Sequence, residues 1–107
     1  MSFIQQGDVL LYKVDKFSEK KLKKIRPTSR GFVIAKGETT GHMHTIANNN
    51  GVALFSDNNN QMWLHITQPS IVIHEEHKPV TLSPGHYKIG IVREVDPFSE
   101  EIRRVKD

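Results

Sequence analysis

Histidine is concentrated in two short stretches of this chain. Gly41-His42-Met43-His44 places two imidazoles one residue apart, and farther along His74-Glu75-Glu76-His77 supplies two more. On a β-strand alternate side chains share a face, so His42 and His44 point one way and Met43 and Thr45 the other. Two imidazoles at that spacing reach one ion from one side, and Gly41 permits close backbone approach beside the first of them. On a straight strand His74 and Glu76 share one face, and Glu75 and His77 the opposite one. A bend or bulge in the following stretch, where Pro79 interrupts regular pairing, lets His74 and His77 converge. Two ligand sets therefore stay open beside His42 and His44: His74 with His77, or His74 with Glu76. The spacing is one residue short of the helical H-E-x-x-H zinc motif, and Ile71-Val72-Ile73 before it is β-branched.

Cysteine is absent, which excludes disulfides and thiolate metal sites. Nitrogen and carboxylate ligands suit a divalent transition metal, namely Zn, Fe, Mn, Ni or Cu, and do not choose among them. Glu38 reads either as an outer-shell acceptor that orients His42 or His44 or as a solvated turn residue. Glu75 or Glu76 is placed to act as general base beside a metal-bound water. His65 reads as a hydrogen-bonded histidine beside Trp63, and His86, after the Pro84-Gly85 turn, as exposed. No Ser-His-Asp order is present, and glycines at 31, 37 and 41 lack phosphate-cradle spacing.

These side chains must be held by strands. Residues 7–14, 31–37, 42–47, 52–56, 61–67, 71–76, 80–82 and 86–95 carry apolar and β-forming runs bounded by Gly, Pro, Asn and Ser. Asn50-Gly51 and the Asp57–Asn60 cluster read as hairpin turns, making 42–67 a three-stranded meander. The helical candidate is Ser18–Arg26, with Ser18 as cap, Leu22 and Ile25 on one face and Pro27 as stop. The tail 99–107 is ambiguous between a helical turn and an edge strand. About eight strands with turns every 8–12 residues predict one all-β domain over 1–107, a small antiparallel barrel or sandwich with at most one short helix.

With 107 residues the chain can enclose one core unaided. The N-terminus lacks a basic region followed by an apolar run, and no apolar stretch approaches about 18 residues, so the expectation is a cytoplasmic protein that does not enter a membrane. The net charge of +3 is uneven. Residues 15–30 hold seven Lys and Arg against Asp15 and Glu19. Lys20, Lys21, Lys23, Lys24 and Arg26 can contact a polyanion, although aromatic residues are scarce inside the run and a solvated lysine-rich loop is the competing reading.

Gly37, His42, His44 and the Val80–Gly90 stretch resemble the two motifs of the cupin superfamily, which implies a cupin-like barrel and carries over His42 and His44 as metal ligands. The chain as a whole resembles a set of short bacterial and phage-encoded proteins. They share GE-x-TGH-x-H (here Gly37–His44), HEEH-x-P (His74–Pro79), L-x-x-G-x-Y (Leu82–Tyr87) and an R-E-Y-x-P-like end (Arg93–Pro97, with Val95 in place of the tyrosine). That resemblance implies that the four histidines belong together. The resulting expectation is a metal-binding β-barrel with His42, His44, His74 and His77 as ligands and a structural or accessory role, with a homo-oligomer or a virion protein as partner. The alternatives are a metal-dependent hydrolase or oxygenase acting on a small ligand, and a nucleic-acid-binding module working through residues 16–30.

Overall fold

The computed structural model describes residues 3–36 and 42–92. Ten strands form two antiparallel sheets. The larger has the order β1 (Phe3–Gln6), β2 (Val9–Val14), β10 (Gly85–Ile91), β7 (Met62–Ile66), β6 (Val52–Ser56), β3 (Lys23–Ile25). The smaller has the order β4 (Phe32–Lys36), β5 (Met43–Ile46), β8 (Ser70–Ile73), β9 (Val80–Leu82). Among the described residues neither sheet closes on itself, so the all-β fold is a sandwich and the barrel alternative falls. No helix among the described residues is long and apolar enough to cross a membrane.

The core follows from strand alternation. Val9 and Leu11, Phe32 and Ile34, Val52 and Leu54, Leu64 and Ile66, and Tyr87 and Ile89 each stand two apart, and together with Ile46, Val72 and Leu82 they form one buried cluster. Burying a side chain of this size contributes about 1.5–3 kcal/mol. Tyr87 brings a hydroxyl into that cluster and satisfies it by donating to the Ser83 carbonyl at 2.7 Å.

Four local expectations change. Gly7 and Asp8 do not begin a strand; they are the two-residue turn between β1 and β2, where Gln6 pairs with Val9. Gly7 adopts φ +59, the first position of a tight hairpin turn that glycine fills without steric cost. The helix expected over 18–26 is replaced by a single 3-10 turn, Glu19–Lys21, and the strand β3 pairs Lys24 with Phe55. A short run with two apolar positions gains more by docking on an open sheet edge than by paying helix nucleation. The 42–67 meander is interrupted: β5 belongs to the small sheet and β6 and β7 to the large one, so residues 47–51 carry the chain between layers. The fourth change concerns the strand drawn over 71–76, which ends at Ile73.

The β6–β7 hairpin is organised by Asp57. Its Oδ1 accepts from the backbone N–H of Asn59 at 2.8 Å and Gln61 at 3.0 Å, and its Oδ2 from Trp63 Nε1 at 3.2 Å. Loss of hydration pushes this carboxyl up, but the three hydrogen bonds and Lys88 together hold it below its ordinary value of 3.8. A carboxylate with a depressed folded-state pKa stabilises the fold above its unfolded pKa, and that contribution is lost as pH falls through the folded value. Asp57→Ala should therefore lower stability at pH 7 and do so progressively less below about pH 4. Paired denaturant titrations of wild type and variant at pH 7 and pH 3 check this, and a pH-independent difference contradicts it.

Candidate functional site

The two histidine motifs meet. His42 precedes β5 and His44 lies within it, while His74 precedes and His77 ends a bend over residues 75–77 that follows β8. The centroid of the His74 ring lies 5.6 Å from that of His42, 4.3 Å from His44 and 4.7 Å from His77. His44 and His77 are 6.2 Å apart. Glu76, the alternative to His77, also points here, with Oε1 3.4 Å from His42 Nδ1. Glu38 and the glycines at 37 and 41 lie outside the described residues.

His44 sits at the bottom, with no solvent exposure. Its Nδ1 is 2.8 Å from Gln6 Oε1. The amide of Gln6 has one possible orientation, because its Nε2 donates to the carbonyls of Val72 and Lys78, both at 3.0 Å. Oε1 is then an acceptor, so His44 Nδ1 carries the proton and Nε2 carries a lone pair. That nitrogen is buried without a hydrogen-bond partner. It faces Asp8 Oδ1 at 3.7 Å. Two acceptors thus confront each other, one buried and one partly exposed. Burial first, then the neighbouring His74 and His77, hold the imidazole down at about 4 from its usual 6.5, against an opposing pull from Asp8.

The other rings are less preset. His74 Nδ1 accepts from the backbone N–H of Glu76 at 3.1 Å, which leaves its proton on Nε2. His42 Nδ1 is buried and makes no hydrogen bond, with Glu76 Oε1 as its 3.4 Å neighbour. Glu75, a candidate base, is committed elsewhere. Its Oε1 accepts from the Met43 backbone N–H at 3.0 Å and its Oε2 from Arg30 at 2.9 Å. The Met43 hydrogen bond foremost, with Arg30 adding to it, holds the carboxyl at about 2. Glu75 therefore ties the bend to the start of β5, next to the pairing of Thr45 with Ile73 that sets the two motifs side by side.

Gln6, Gly7 and Asp8 were missed by the sequence reading, and the signal available was the Gly-Asp pair followed by an apolar run. A Cβ on Gly7 would lie 2.6 Å from His77 Nε2, so the turn is a wall of the site.

A second cluster stands on the larger sheet. His65 on β7 pairs across the strands with His86 on β10. Their rings stack at 4.1 Å with 14° between planes. His65 Nδ1 lies 3.0 Å from Glu19 Oε2. Glu19, His65 and His86 offer ligand atoms all within 4.8 Å of one another, and among the described residues they are the one group of three or more that comes this close; the ligand atoms around His44 stand farther apart. The expectation of an exposed His86 is corrected: Phe17 covers its ring edge-on at 4.8 Å, and its Nε2 is buried without a partner. The lysine-rich segment lies nearby. Lys20, Lys21, Lys23, Lys24 and Arg26 are exposed, and the first three border an open cavity of about 480 Å³ shared with Asp57, Asn58 and Asn60.

Gly7→Ala tests the wall. The added methyl meets the His77 ring, and the left-handed backbone costs a non-glycine residue about 1–2 kcal/mol. The expected outcome is a loss of that size in unfolding free energy together with displaced ring resonances for His77. An unchanged histidine spectrum would show that the turn does not bound the site.

No curated protein and no solved structure matches this chain. One family does match, over residues 5–92, and the chain belongs to it: the family described as Domain of unknown function (DUF8820).

Proposed function

We propose that this domain binds a divalent transition-metal ion between the two histidine motifs and that the ion serves as a structural staple in an accessory module. His44 and Asp8 provide the anchor, and His42, His74, His77 and Glu76 provide the remaining candidate ligands. The observation that carries the reading is the pair of facing acceptors, His44 Nε2 and Asp8 Oδ1, 3.7 Å apart, the nitrogen buried and without a hydrogen-bond partner. Two ligand atoms at about 2.0–2.1 Å from a tetrahedral ion stand roughly 3.3 Å apart, so a small contraction seats a cation there. The tautomer supports the same reading, because Gln6 fixes the His44 proton on Nδ1 and frees Nε2, the arrangement by which outer-shell acceptors orient metal-bound histidines.

His74 joins the ion through Nδ1 by releasing the Glu76 backbone, or stays as a packing neighbour while His42 and His77 complete the set. Nitrogen and oxygen donors suit Zn, Fe, Mn or Ni. The staple role follows from position. The anchor joins the β1–β2 turn of one sheet to β5 of the other, so a bound ion crosslinks the two layers. Glu75, held by Met43 and Arg30, contributes position and no base.

Elemental analysis of protein purified without chelator should find one tightly held equivalent in this centre, absent in His44→Ala. Chelator should lower the melting temperature of wild type more than that of His44→Ala, since an ion at a hundred times its Kd stabilises the fold by about 2.7 kcal/mol. Wild type and His44→Ala with equal metal content would end the proposal.

Gln6→Met separates tautomer control from packing. It keeps side-chain volume but cannot pin the His44 proton. Metal affinity is expected to fall about 10–100-fold. Unchanged affinity in a folded variant would show that Gln6 has no part in setting the ligand.

A further inference from the structure

We propose a second metal site, independent of the first, on the outer face of the larger sheet, where Glu19, His65 and His86 hold a divalent transition ion through one carboxylate oxygen and two imidazole nitrogens. Their ligand atoms already lie within 4.8 Å of one another. The elements that place them are unrelated to those of the first centre. His65 and His86 are direct cross-strand neighbours on β7 and β10, and Glu19 comes down over them from the 3-10 turn between β2 and β3.

The chemistry of loading is defined. The proton between His65 Nδ1 and Glu19 Oε2 passes to solvent while the ring carries its remaining proton on Nε2, so that a neutral imidazole and a carboxylate receive the ion in its place. Their 3.0 Å separation is close to the roughly 3.3 Å between two ligand atoms on a tetrahedral ion. An ion lies in the plane of each imidazole that binds it. The two rings now stack with 14° between their planes, so one of them turns as the ion enters. His86 Nε2, buried without a hydrogen-bond partner, gains by that rotation. Phe17 closes one side of the site against His86, and Glu19 and His65 remain partly exposed on the other. Three protein ligands leave a coordination position toward solvent, unlike a closed structural site. Binding also fastens the 3-10 turn to the sheet, because Glu19 is the ligand it supplies.

The tryptophan makes the site visible. Trp63 is unique in the chain, stands two residues from His65 on the same strand face, and packs on Phe17 at 5.5 Å. Co²⁺ bound at the second site should quench its emission, whereas Co²⁺ at the first site binds the opposite sheet. The experiment titrates Co²⁺ into metal-free full-length wild type, His44→Ala, the His65→Ala/His86→Ala double variant and Glu19→Gln. Tryptophan emission and bound cobalt by equilibrium dialysis are both followed. Wild type should bind two equivalents. His44→Ala should bind one and keep the quenching. The double variant should bind one and lose the quenching. Glu19→Gln, an exposed change that leaves the fold intact, should shift the quenching midpoint upward at least tenfold. Quenching and stoichiometry in the double variant equal to wild type, or an unmoved midpoint in Glu19→Gln, would overturn the second site. One equivalent in both wild type and His44→Ala, with quenching retained, would sink the first centre and leave the second standing.

Discussion

The side-chain amide of Gln6 is the constraint on which the histidine centre rests. It is buried at the end of β1, and all its hydrogen bonds run to the other sheet or to the link that follows β8: two donated to the carbonyls of Val72 and Lys78, one accepted from His44. An amide in the reverse orientation would set its oxygen against the carbonyls of Val72 and Lys78, at about 1–3 kcal/mol for each buried group left unmatched. The orientation is therefore fixed, and with it the proton on His44. Everything that makes this histidine a candidate ligand, from its free Nε2 to its confrontation with Asp8, follows from that one side chain.

Around this point the fold distributes its carboxylates by role. Glu75 is held in two strong hydrogen bonds and works as a clamp between the bend and β5. Asp57 performs the same kind of service for the β6–β7 hairpin. Asp8 and Glu76 instead face imidazoles at 3.7 and 3.4 Å. The carboxylates with filled hydrogen-bonding capacity build the scaffold, and those with unfilled capacity border the histidines. Buried donors and acceptors are ordinarily paired, and of the four buried side-chain atoms without a hydrogen-bond partner among the described residues, three are the nitrogens of His42, His44 and His86, the fourth being Gln5 Oε1.

The two clusters also differ in kind. The first is assembled across the sandwich, from β1, β5 and the bend after β8, and its rings pack at mixed angles around a buried His44. The second is assembled within one sheet by cross-strand pairing, at the surface, with a carboxylate laid on top. A centre that joins two layers bears on the stability of the whole domain, whereas one that pins a surface turn bears on that turn alone.

Local chemistry made much of this legible in the sequence. Alternating apolar residues in runs such as Val52–Ser56 and Val80–Leu82 determined strands with an inward face. Lack of cysteine determined that any metal would meet nitrogen and oxygen. Pro79 and the charged pair before it marked the bend at His74–His77. The tertiary structure alone decided which strands share a sheet, and so moved Asn50-Gly51 from a hairpin to a crossing between layers. It alone brought Gln6 and Asp8 to His44 and set His86 beside His65. Side-chain alternation is a property of neighbouring residues and is written locally. Cross-strand register and the meeting of two sheets are properties of distant segments, fixed only when burial of the common core selects one pairing from many.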